Sequence, residues 1–236
     1  MPRITLIKLL EYREWTESLG TDREWIIQLN QSKTYTLLQS LFSKKNGYII
    51  PLRYDYYLAL SNGISEETHR EILLELESIA PRGAKMVSIP HKYPFTAQLL
   101  ASRIIEESPE KLVYISGEED ETVVAHVDFD NITALTYKTS IYESYLRIQQ
   151  TYTEITFLAA RLGGITSYLG GDNILIILPK ETINDFIDNM PSYLKIGVGI
   201  AMQPRKALSL ATKALDKLRK NREKKKLILY DESEAQ

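Results

Sequence analysis

Two kinds of hydrophobic periodicity alternate along the chain. Apolar residues that alternate with polar ones over short runs predict β-strands, whereas apolar residues three and four positions apart predict amphipathic helices. In the first half, a strand pattern at 4–10 precedes a long helical pattern at 24–42. The remaining predicted elements are strand arms at 48–52 and 57–60, a helix capped by Ser65, a strand at 85–90 and a helix at 95–107. The order is strand, long helix, hairpin, helix, strand, helix.

The second half repeats this order. A strand at 123–128 precedes a long helix at 142–162. A hairpin at 164–178, a helix at 181–189, a strand at 196–201 and a helix that begins at Pro204 follow. We therefore predict an α/β (α+β) protein of two tandem ferredoxin-like or palm-type modules, with mainly antiparallel sheets and helices packed on them. The N-terminal module spans 1–110 and the C-terminal module 120–236, and the acidic stretch 106–121 links them.

Composition narrows the possible functions. The 236 residues are 44% apolar and 25% charged, and the net charge of −2 gives no general attraction to nucleic acid or to anionic membranes. The absence of Cys excludes disulfides, thiolate metal sites and cysteine nucleophiles. With only three His, we expect any metal to be a hard cation held by oxygen. No apolar stretch is long enough to span a membrane and no signal peptide is recognisable, so we expect a cytoplasmic protein.

Two carboxylates occupy matching places in the second module. Asp128 ends the first predicted strand, and Asp172 lies at the bend of the hairpin SYLGGDNILIIL. If that strand and the hairpin are antiparallel neighbours, both side chains lie at one rim of the sheet. Neighbouring carboxylates raise each other's pKa unless a cation lies between them, and Mg²⁺ is the natural cation. Two such ions can bind the attacking and leaving oxygens of a phosphoryl transfer.

The backbone around these acids also favours a phosphate ligand. Gly170 and Gly171 permit a tight turn and the close approach of a bulky ligand. The segment 129–133 turns toward the next helix, and its backbone N–H groups can bind phosphate oxygens. A Gly-Gly-Asp-Asn sequence alone is typical of an ordinary turn. The metal interpretation therefore depends on the repeat, because 44 positions separate Asp128 from Asp172 and 45 separate Leu10 from Asp55.

At these residues the sequence resembles archaeal GTP cyclohydrolase III. The second-half motifs that carry the resemblance are AHVDFDNIT (125–133), YLGGDN (168–173) and IGVGI (196–200). In the first half EYREWT (11–16), RYD (53–55) and SNGI (61–64) extend it over nearly the whole chain. That family is built from palm-type domains related to the GGDEF diguanylate cyclases and to the class III nucleotidyl cyclases.

The resemblance implies an enzyme that hydrolyses GTP. The imidazole ring opens with C8 retained as a formyl group, and two inorganic phosphates leave. The product, 2-amino-5-formylamino-6-(phosphoribosylamino)pyrimidinone, enters flavin and deazaflavin biosynthesis. The implied cofactors are two Mg²⁺ ions and a monovalent cation such as K⁺, and the implied assembly is a homo-oligomer, a dimer or a tetramer. Nucleotidyl or diguanylate cyclase activity and non-catalytic GTP sensing stay open as alternatives.

The resemblance also assigns roles to residues. It implies that Asp128 and Asp172 are the catalytic metal ligands, with the carbonyl of Phe129 as a further oxygen. The residues implied to bind the nucleotide are Asp130, Asn131, Gly170, Gly171 and, on the last helix, Arg219 or Lys217. An alternative for the basic run 213–226 is a solvated helix end, where cations are favoured by the helix dipole.

The first module departs from this pattern. Leu10, followed by Glu11, takes the place of Asp128, and Asp55 lacks the paired glycines. We therefore expect the N-terminal module to be degenerate and to lack a complete metal site. In the second module Asn173 replaces the Glu-Phe of diguanylate cyclases, which argues against cyclic dinucleotide synthesis.

The sequence leaves the roles of several other residues open. His126 precedes Asp128 by two positions and faces the same side of the sheet, either as a hydrogen-bonded core residue or as a partner of the site. The tyrosines at 142, 145 and 152 belong either to a core or subunit interface or to a surface on which a base stacks.

Overall fold

The computed structural model describes residues 1–220 and 225–231, which divide into two compact units. One comprises Met1–Lys92 with Thr96–Asp120, and the other comprises Tyr93–Phe95 with Glu121–Gln236. Residues 221–224 of the basic run 213–226, and the last five residues of the C-terminal module, lie outside the described residues. No helix in the described ranges is both long and apolar enough to cross a bilayer.

The first unit is a five-stranded sheet with helices packed on it. Its elements are β1 (Arg3–Leu9), α1 (Tyr12–Ser18), α2 (Glu24–Lys44), β2 (Tyr48–Pro51), β3 (Tyr56–Leu60), α3 (Glu66–Glu77), β4 (Ala84–Pro90), α4 (Pro94–Glu107) and β5 (Leu112–Tyr114). The strand order is β2-β3-β1-β4-β5, with β1 antiparallel to both neighbours and β5 parallel to β4. Ser65 caps α3 by accepting a hydrogen bond from the Thr68 N–H, as the sequence predicts.

The second unit repeats this topology. Its elements are β6 (Thr122–Phe129), α5 (Ile132–Lys138), α6 (Ile141–Arg161), β7 (Ile165–Gly170), β8 (Asn173–Leu178), α7 (Ile183–Asp188), β9 (Leu194–Ala201), α8 (Pro204–Lys220) and β10 (Lys226–Tyr230). The order β7-β8-β6-β9-β10 corresponds strand for strand to that of the first unit. The predicted antiparallel pairing of the first strand with the hairpin is confirmed in both units. The two-module α/β prediction is therefore confirmed.

Alternation along β6 and β9 separates the two faces of the second sheet. Val127 and Val198 face the core formed with α6 and α7. Gly197 and Gly199 face α8, whose backbone lies directly on them. A Cβ atom at Gly199 would lie 2.0 Å from the Ala207 carbonyl oxygen. The IGVGI motif therefore lets α8 approach the sheet more closely than side chains would allow.

Four elements are absent from the sequence prediction. These are α1, α5, β5 and β10, each seven residues or fewer. The acidic stretch 106–121, predicted to be a linker, contains β5, which pairs with β4. At its end Glu119 binds the buried Arg3 with Oε1 at 2.5 Å from Nε. Residues 106–120 are thus an ordered part of the first unit, and the prediction of a linker there is wrong.

The strand registers identify the first-unit counterpart of Asp128. Lys8 pairs with Lys85 across the sheet, as Asp128 pairs with Lys195. Lys8 also precedes the left-handed residue Glu11 by three positions, as Asp128 precedes the left-handed Asn131. Lys8 is therefore the counterpart of Asp128, and the predicted assignment of Leu10 is wrong.

Candidate active site at the end of the second sheet

Asp128 and Arg219 form a bidentate ion pair at the end of β6. Asp128 is 7% exposed and lies on the face of the sheet that α8 covers. Arg219, in the last turn of α8, donates from Nε to Oδ2 at 3.1 Å and from Nη2 to Oδ1 at 3.0 Å. Hydrogen bonding to Asp128 raises the pKa of Arg219. A guanidinium binds phosphate oxygens with the same two-pronged geometry, so Arg219 can exchange one anionic partner for the other.

Asp172 lies at the tip of the β7–β8 hairpin. Gly170 pairs with Asn173, so Gly171 and Asp172 form a two-residue turn. Gly171 has φ 60°, and glycine is favoured at the first central position of the type II′ turns that such hairpins use. Burial raises the pKa of Asp172, and the negative charge of Asp128 raises it further. The two carboxylates are therefore close enough to interact electrostatically.

The backbone of Phe129 lies beside these carboxylates. The next residue, Asp130, donates its N–H to the Tyr193 carbonyl on the β9 side at 3.2 Å. Because successive residues of a strand direct their backbone groups to opposite neighbours, the Phe129 carbonyl faces the β8 side. The described β6–β8 pairing ends at Val127 and Ile174, before this carbonyl. Its oxygen therefore lies on the side of the strand from which Asp172 approaches.

Asp130 is bound by two lysines. Lys195 Nζ lies 2.5 Å from one carboxylate oxygen, and Lys225 pairs with the other. Burial alone raises the pKa of Asp130, but the hydrogen bonds from the two lysines outweigh it and lower the pKa. Asp130 thus holds two cations near the end of the sheet. The sequence analysis missed both lysines, although Lys195 stands out as a charge inside the apolar strand LKIGVGIA.

His126 contacts the hairpin from β6. Its Nε2 lies 3.0 Å from Oδ1 of Asn173, whose Nδ2 lies 3.2 Å from Oδ1 of Asp172. Burial lowers the pKa of His126, which favours the neutral ring. His126, whose role the sequence left open, therefore contacts Asn173, which in turn contacts Asp172.

A cleft of about 570 Å³ opens beside Asp172 on the other face of the sheet. It lies between α5, α6 and the hairpin, and Tyr142, Tyr145 and Tyr168 line it with Asp172 and Gly171. Tyr142 and Tyr145 stack on each other with ring centroids 5.9 Å apart, and both are exposed. These two tyrosines therefore do not belong to the core of the unit. Tyr152, in contrast, packs against the buried core cluster.

Other predicted residues flank this arrangement. Asn131 has φ 59° and forms the left-handed turn between β6 and α5. Gly170 has φ 97°, and a Cβ there would meet no atom within 4 Å, so its backbone conformation rather than crowding favours glycine. Lys217 is exposed, and residues two positions apart point to different sides of a helix. Of the two basic residues predicted on α8, Arg219 is the one that contacts Asp128.

The donor set fits a magnesium site. Within the described residues, no three His, Cys, Asp or Glu side chains cluster as metal ligands. Mg²⁺ nevertheless needs only one or two carboxylates, since waters and substrate phosphates complete its shell. Burial and then the neighbouring charge of Asp128 raise the pKa of Asp172, and a cation bound between the two carboxylates would offset that repulsion. Asp128, Asp172 and the Phe129 carbonyl are hard oxygen donors of the kind that Mg²⁺ prefers.

Comparisons with known proteins identify the family. The family model described as GTP cyclohydrolase III matches residues 1–232. The GTP cyclohydrolase III of Aeropyrum pernix is 36% identical over 223 residues, 92% of each chain. That of Saccharolobus solfataricus is 35% identical over 225 residues, 94% of this chain and 96% of the relative. A GGDEF domain of known structure from Pseudomonas aeruginosa covers 48% of this chain and 83% of its own, with a TM-score of 0.41 and 16% identity.

The family model and both archaeal relatives span nearly the full length of the sequence. The match to the family model includes both units and every residue of the candidate site. The chain belongs to the GTP cyclohydrolase III family.

Proposed function

We propose that this chain hydrolyses GTP to 2-amino-5-formylamino-6-(phosphoribosylamino)pyrimidinone and two inorganic phosphates. Three waters are consumed. One adds at C8 and opens the C8–N9 bond, which leaves the formyl group on N7, and two hydrolyse the phosphoanhydride bonds. The observation that carries the proposal is the meeting of Asp128, Asp172 and Arg219 at the end of one sheet. We propose that the product serves flavin and deazaflavin biosynthesis.

The cleft beside Asp172 supports a position for the guanine base. Tyr142, Tyr145 and Tyr168 offer aromatic surface on which a purine can stack. Asp172 lies at the edge of this cleft and also close to Asp128 on the α8 side. A nucleotide with its base between α5, α6 and the hairpin therefore extends its phosphates over the end of β6 toward Arg219.

The charges at the end of β6 support binding of the triphosphate. Arg219 holds Asp128 through two hydrogen bonds, and phosphate oxygens compete for the same two donors. Transfer of Arg219 to the phosphates frees the Asp128 carboxylate as a ligand. Lys195 and Lys225, held by Asp130, add positive charge on the same side. These side chains orient the triphosphate and offset its charge.

We propose that Asp128, Asp172 and the Phe129 carbonyl hold Mg²⁺, with two ions in the loaded site and K⁺ as an assisting cation. When bound, Mg²⁺ supplies positive charge against the phosphate oxygens and activates water. The burial of Asp128 excludes solvent from its carboxylate, which strengthens electrostatic interactions there.

One assay tests the proposed reaction. The purified chain is incubated with GTP, Mg²⁺ and K⁺, and products are followed by ultraviolet absorbance, phosphate release and mass spectrometry. We expect two phosphates per GTP and a product one water heavier than GMP, because C8 is retained. Pyrophosphate with a cyclic ester would instead identify a cyclase. Bound but intact GTP would identify a sensor, and released formate would mean that C8 is lost.

A further inference from the structure

A row of hydrogen-bonded side chains leads from α8 to Asp172. His126 lies in the middle of the row, with Nε2 3.0 Å from Oδ1 of Asn173. Asn173 in turn reaches Oδ1 of Asp172 with Nδ2 at 3.2 Å. On the other side, Oγ1 of Thr212 lies 3.5 Å from His126 Nδ1. The row crosses from α8 over β6 to the first residue of β8.

The Asp172 carboxylate fixes the direction of every bond in this row. An ionised carboxylate only accepts, so the NH₂ group of the Asn173 amide must face it. The amide oxygen then faces His126 and accepts from Nε2–H. In the neutral ring that tautomer leaves Nδ1 as an acceptor for the Thr212 hydroxyl. Loss of the His126 donor removes the contact that keeps the amide in this orientation.

We infer that His126 and Asn173 are positioning residues that hold the Asp172 carboxylate in its metal-binding orientation. The inference rests on the proposed function, because it assumes that Asp172 is a ligand. Asp172 lies on a two-residue turn after two glycines, where the backbone constrains its side chain little. The amide of Asn173 supplies the orientation that the turn does not. Residues that hydrogen-bond to metal ligands commonly change metal affinity about 10–100-fold when removed.

The first unit lacks this row, although it keeps the acid. Asp55 follows the left-handed Tyr54 as Asp172 follows Gly171, so it is the counterpart of Asp172. The register places Tyr56 at the position of Asn173 and Leu6 at that of His126. Asp55 is bound instead by Arg53, with Nη2 2.5 Å from Oδ2. The hydrogen-bonded row therefore occurs in the unit that has both carboxylates, Asp128 and Asp172, and is missing from the unit that has only the turn with Asp55.

Titration with Mn²⁺ of the protein carrying one equivalent of a non-hydrolysable GTP analogue, followed by electron paramagnetic resonance of the free ion, tests the inference. The analogue is needed because its phosphates draw Arg219 from Asp128. We expect His126→Leu and Asn173→Leu to weaken Mn²⁺ binding at least about tenfold. His126→Gln, whose amide can still donate to Asn173, retains affinity within about threefold. Because His126 acts through Asn173, the double leucine variant binds no more weakly than Asn173→Leu alone. In turnover, Asn173→Leu lowers kcat at saturating GTP when Mg²⁺ is limiting, and added Mg²⁺ restores it.

Thr166→Val is the matched control. It removes a buried hydroxyl from the same sheet, and in the described structure that hydroxyl bonds to Thr156. We expect Thr166→Val to leave the Mn²⁺ affinity unchanged. Should the wild-type complex bind no more Mn²⁺ than the GTP analogue alone, both the proposed metal site and this inference are overturned. Wild-type binding together with unchanged binding by Asn173→Leu overturns the inference alone. A further tenfold loss in the double variant also overturns it, since His126 would then act by another route.

Discussion

At the scale of single residues, Asp128 interacts with two other charged residues of the candidate site, Arg219 and Asp172. It is nearly buried and receives both hydrogen bonds of the Arg219 fork. Burial raises the pKa of Asp172, and the charge of Asp128 raises it further. Asp128 thus acts on Asp172 through its charge and on Arg219 through two hydrogen bonds.

Replacing Asp128 by Asn tests this dependence. The amide keeps the shape of the side chain but is a poor metal ligand, and it leaves Arg219 paired with Asp216, whose Oδ1 lies 3.2 Å from Nη1. We expect kcat to fall by more than about 100-fold. Loss of a residue that only hydrogen-bonds to a metal ligand costs up to about that much, and loss of the ligand itself costs more. Phosphate release from GTP is the measurement, and Asp188→Asn, an exposed acid paired with Lys226, is the control. Activity of Asp128→Asn equal to that of the control would exclude Asp128 from the metal site.

Sequence alone could locate the two acids but not their partners. Asp128 and Asp172 each adjoin a strongly apolar strand, so strand pairing brings them to one rim. Arg219 lies 91 positions after Asp128, and Lys195 lies 65 after Asp130. The Arg219–Asp128 contact depends on how closely α8 packs on the sheet, and the Lys195–Asp130 contact depends on the β6–β9 register. The hydrophobic pattern of a single segment predicts neither.

At the scale of elements, the packing of α8 on β9 determines whether Arg219 reaches Asp128. Gly197 and Gly199 face the helix backbone with no room for a Cβ. Val198, between them, faces the opposite core. One short strand segment therefore controls the helix on one face and the core on the other.

Gly199→Ala, compared with Val198→Ala, separates the effect of moving α8 from the effect of disturbing the core. The methyl group pushes α8 from the sheet, and we expect a loss of about 1–3 kcal/mol in the free energy of unfolding. Because α8 carries Arg219, we also expect kcat/KM for GTP to fall more than tenfold. Val198→Ala deletes buried methyl groups and costs a similar amount, about 2 kcal/mol, without moving α8. Urea unfolding and GTP turnover of both variants are compared, and equal activity would show that α8 tolerates the displacement.

The first unit carries an ion pair of inverted sign at the equivalent place. Lys8, the counterpart of Asp128, binds both carboxylate oxygens of Glu106 on α4 at 2.5 and 2.7 Å. Tyr56 donates to the same carboxylate at 2.6 Å. In the second unit the acid lies on the strand and the base on the helix. The first unit thus has an ammonium where the second has the carboxylate of Asp128, the proposed metal ligand, which supports the proposal that the first unit is degenerate.

We expect Lys8→Met to leave GTP turnover within about twofold of wild type. The pair is partly exposed, so its loss costs no more than about 1 kcal/mol of unfolding free energy. The comparison with Asp128→Asn is direct, since both variants remove the charged residue at the same position of the repeat. A tenfold fall in kcat/KM for Lys8→Met would show that the first unit takes part in the reaction.

At the scale of the whole molecule, the repeat was predictable but its alignment was not. The order of periodic segments is the same in both halves, so two similar sheets follow from the sequence. Residue counting, however, assigned Leu10 instead of Lys8. The α1–α2 connection has five residues, 19–23, whereas the α5–α6 connection has two, 139–140. Loop length changes without altering the hydrophobic pattern, so only the strand register reveals the shift.

A buried polar cluster makes the stability of the chain depend on pH. His69 is fully buried in the first unit, and its ring nitrogens lie 2.8 Å from Thr5 Oγ1 and from the Ser65 carbonyl oxygen. Burial lowers the pKa of His69 to about 4, whereas an unfolded chain titrates near 6.5. The folded state therefore prefers neutral His69, and its stabilising contribution is complete above pH 6.5. It is lost as the pH falls from 6.5 toward 4.

We expect His69 to account for a loss of about 2 kcal/mol in unfolding free energy between pH 7 and pH 5. His69→Gln has no titrating group at this position, so its stability falls less over the same interval. Urea unfolding of both proteins at the two pH values, followed by tryptophan fluorescence, gives the difference. The other titrating groups are the same in both proteins, so their contributions cancel in that difference. Equal losses in the two proteins would mean that His69 is protonated in the folded chain at pH 5, and that the cluster accommodates its charge.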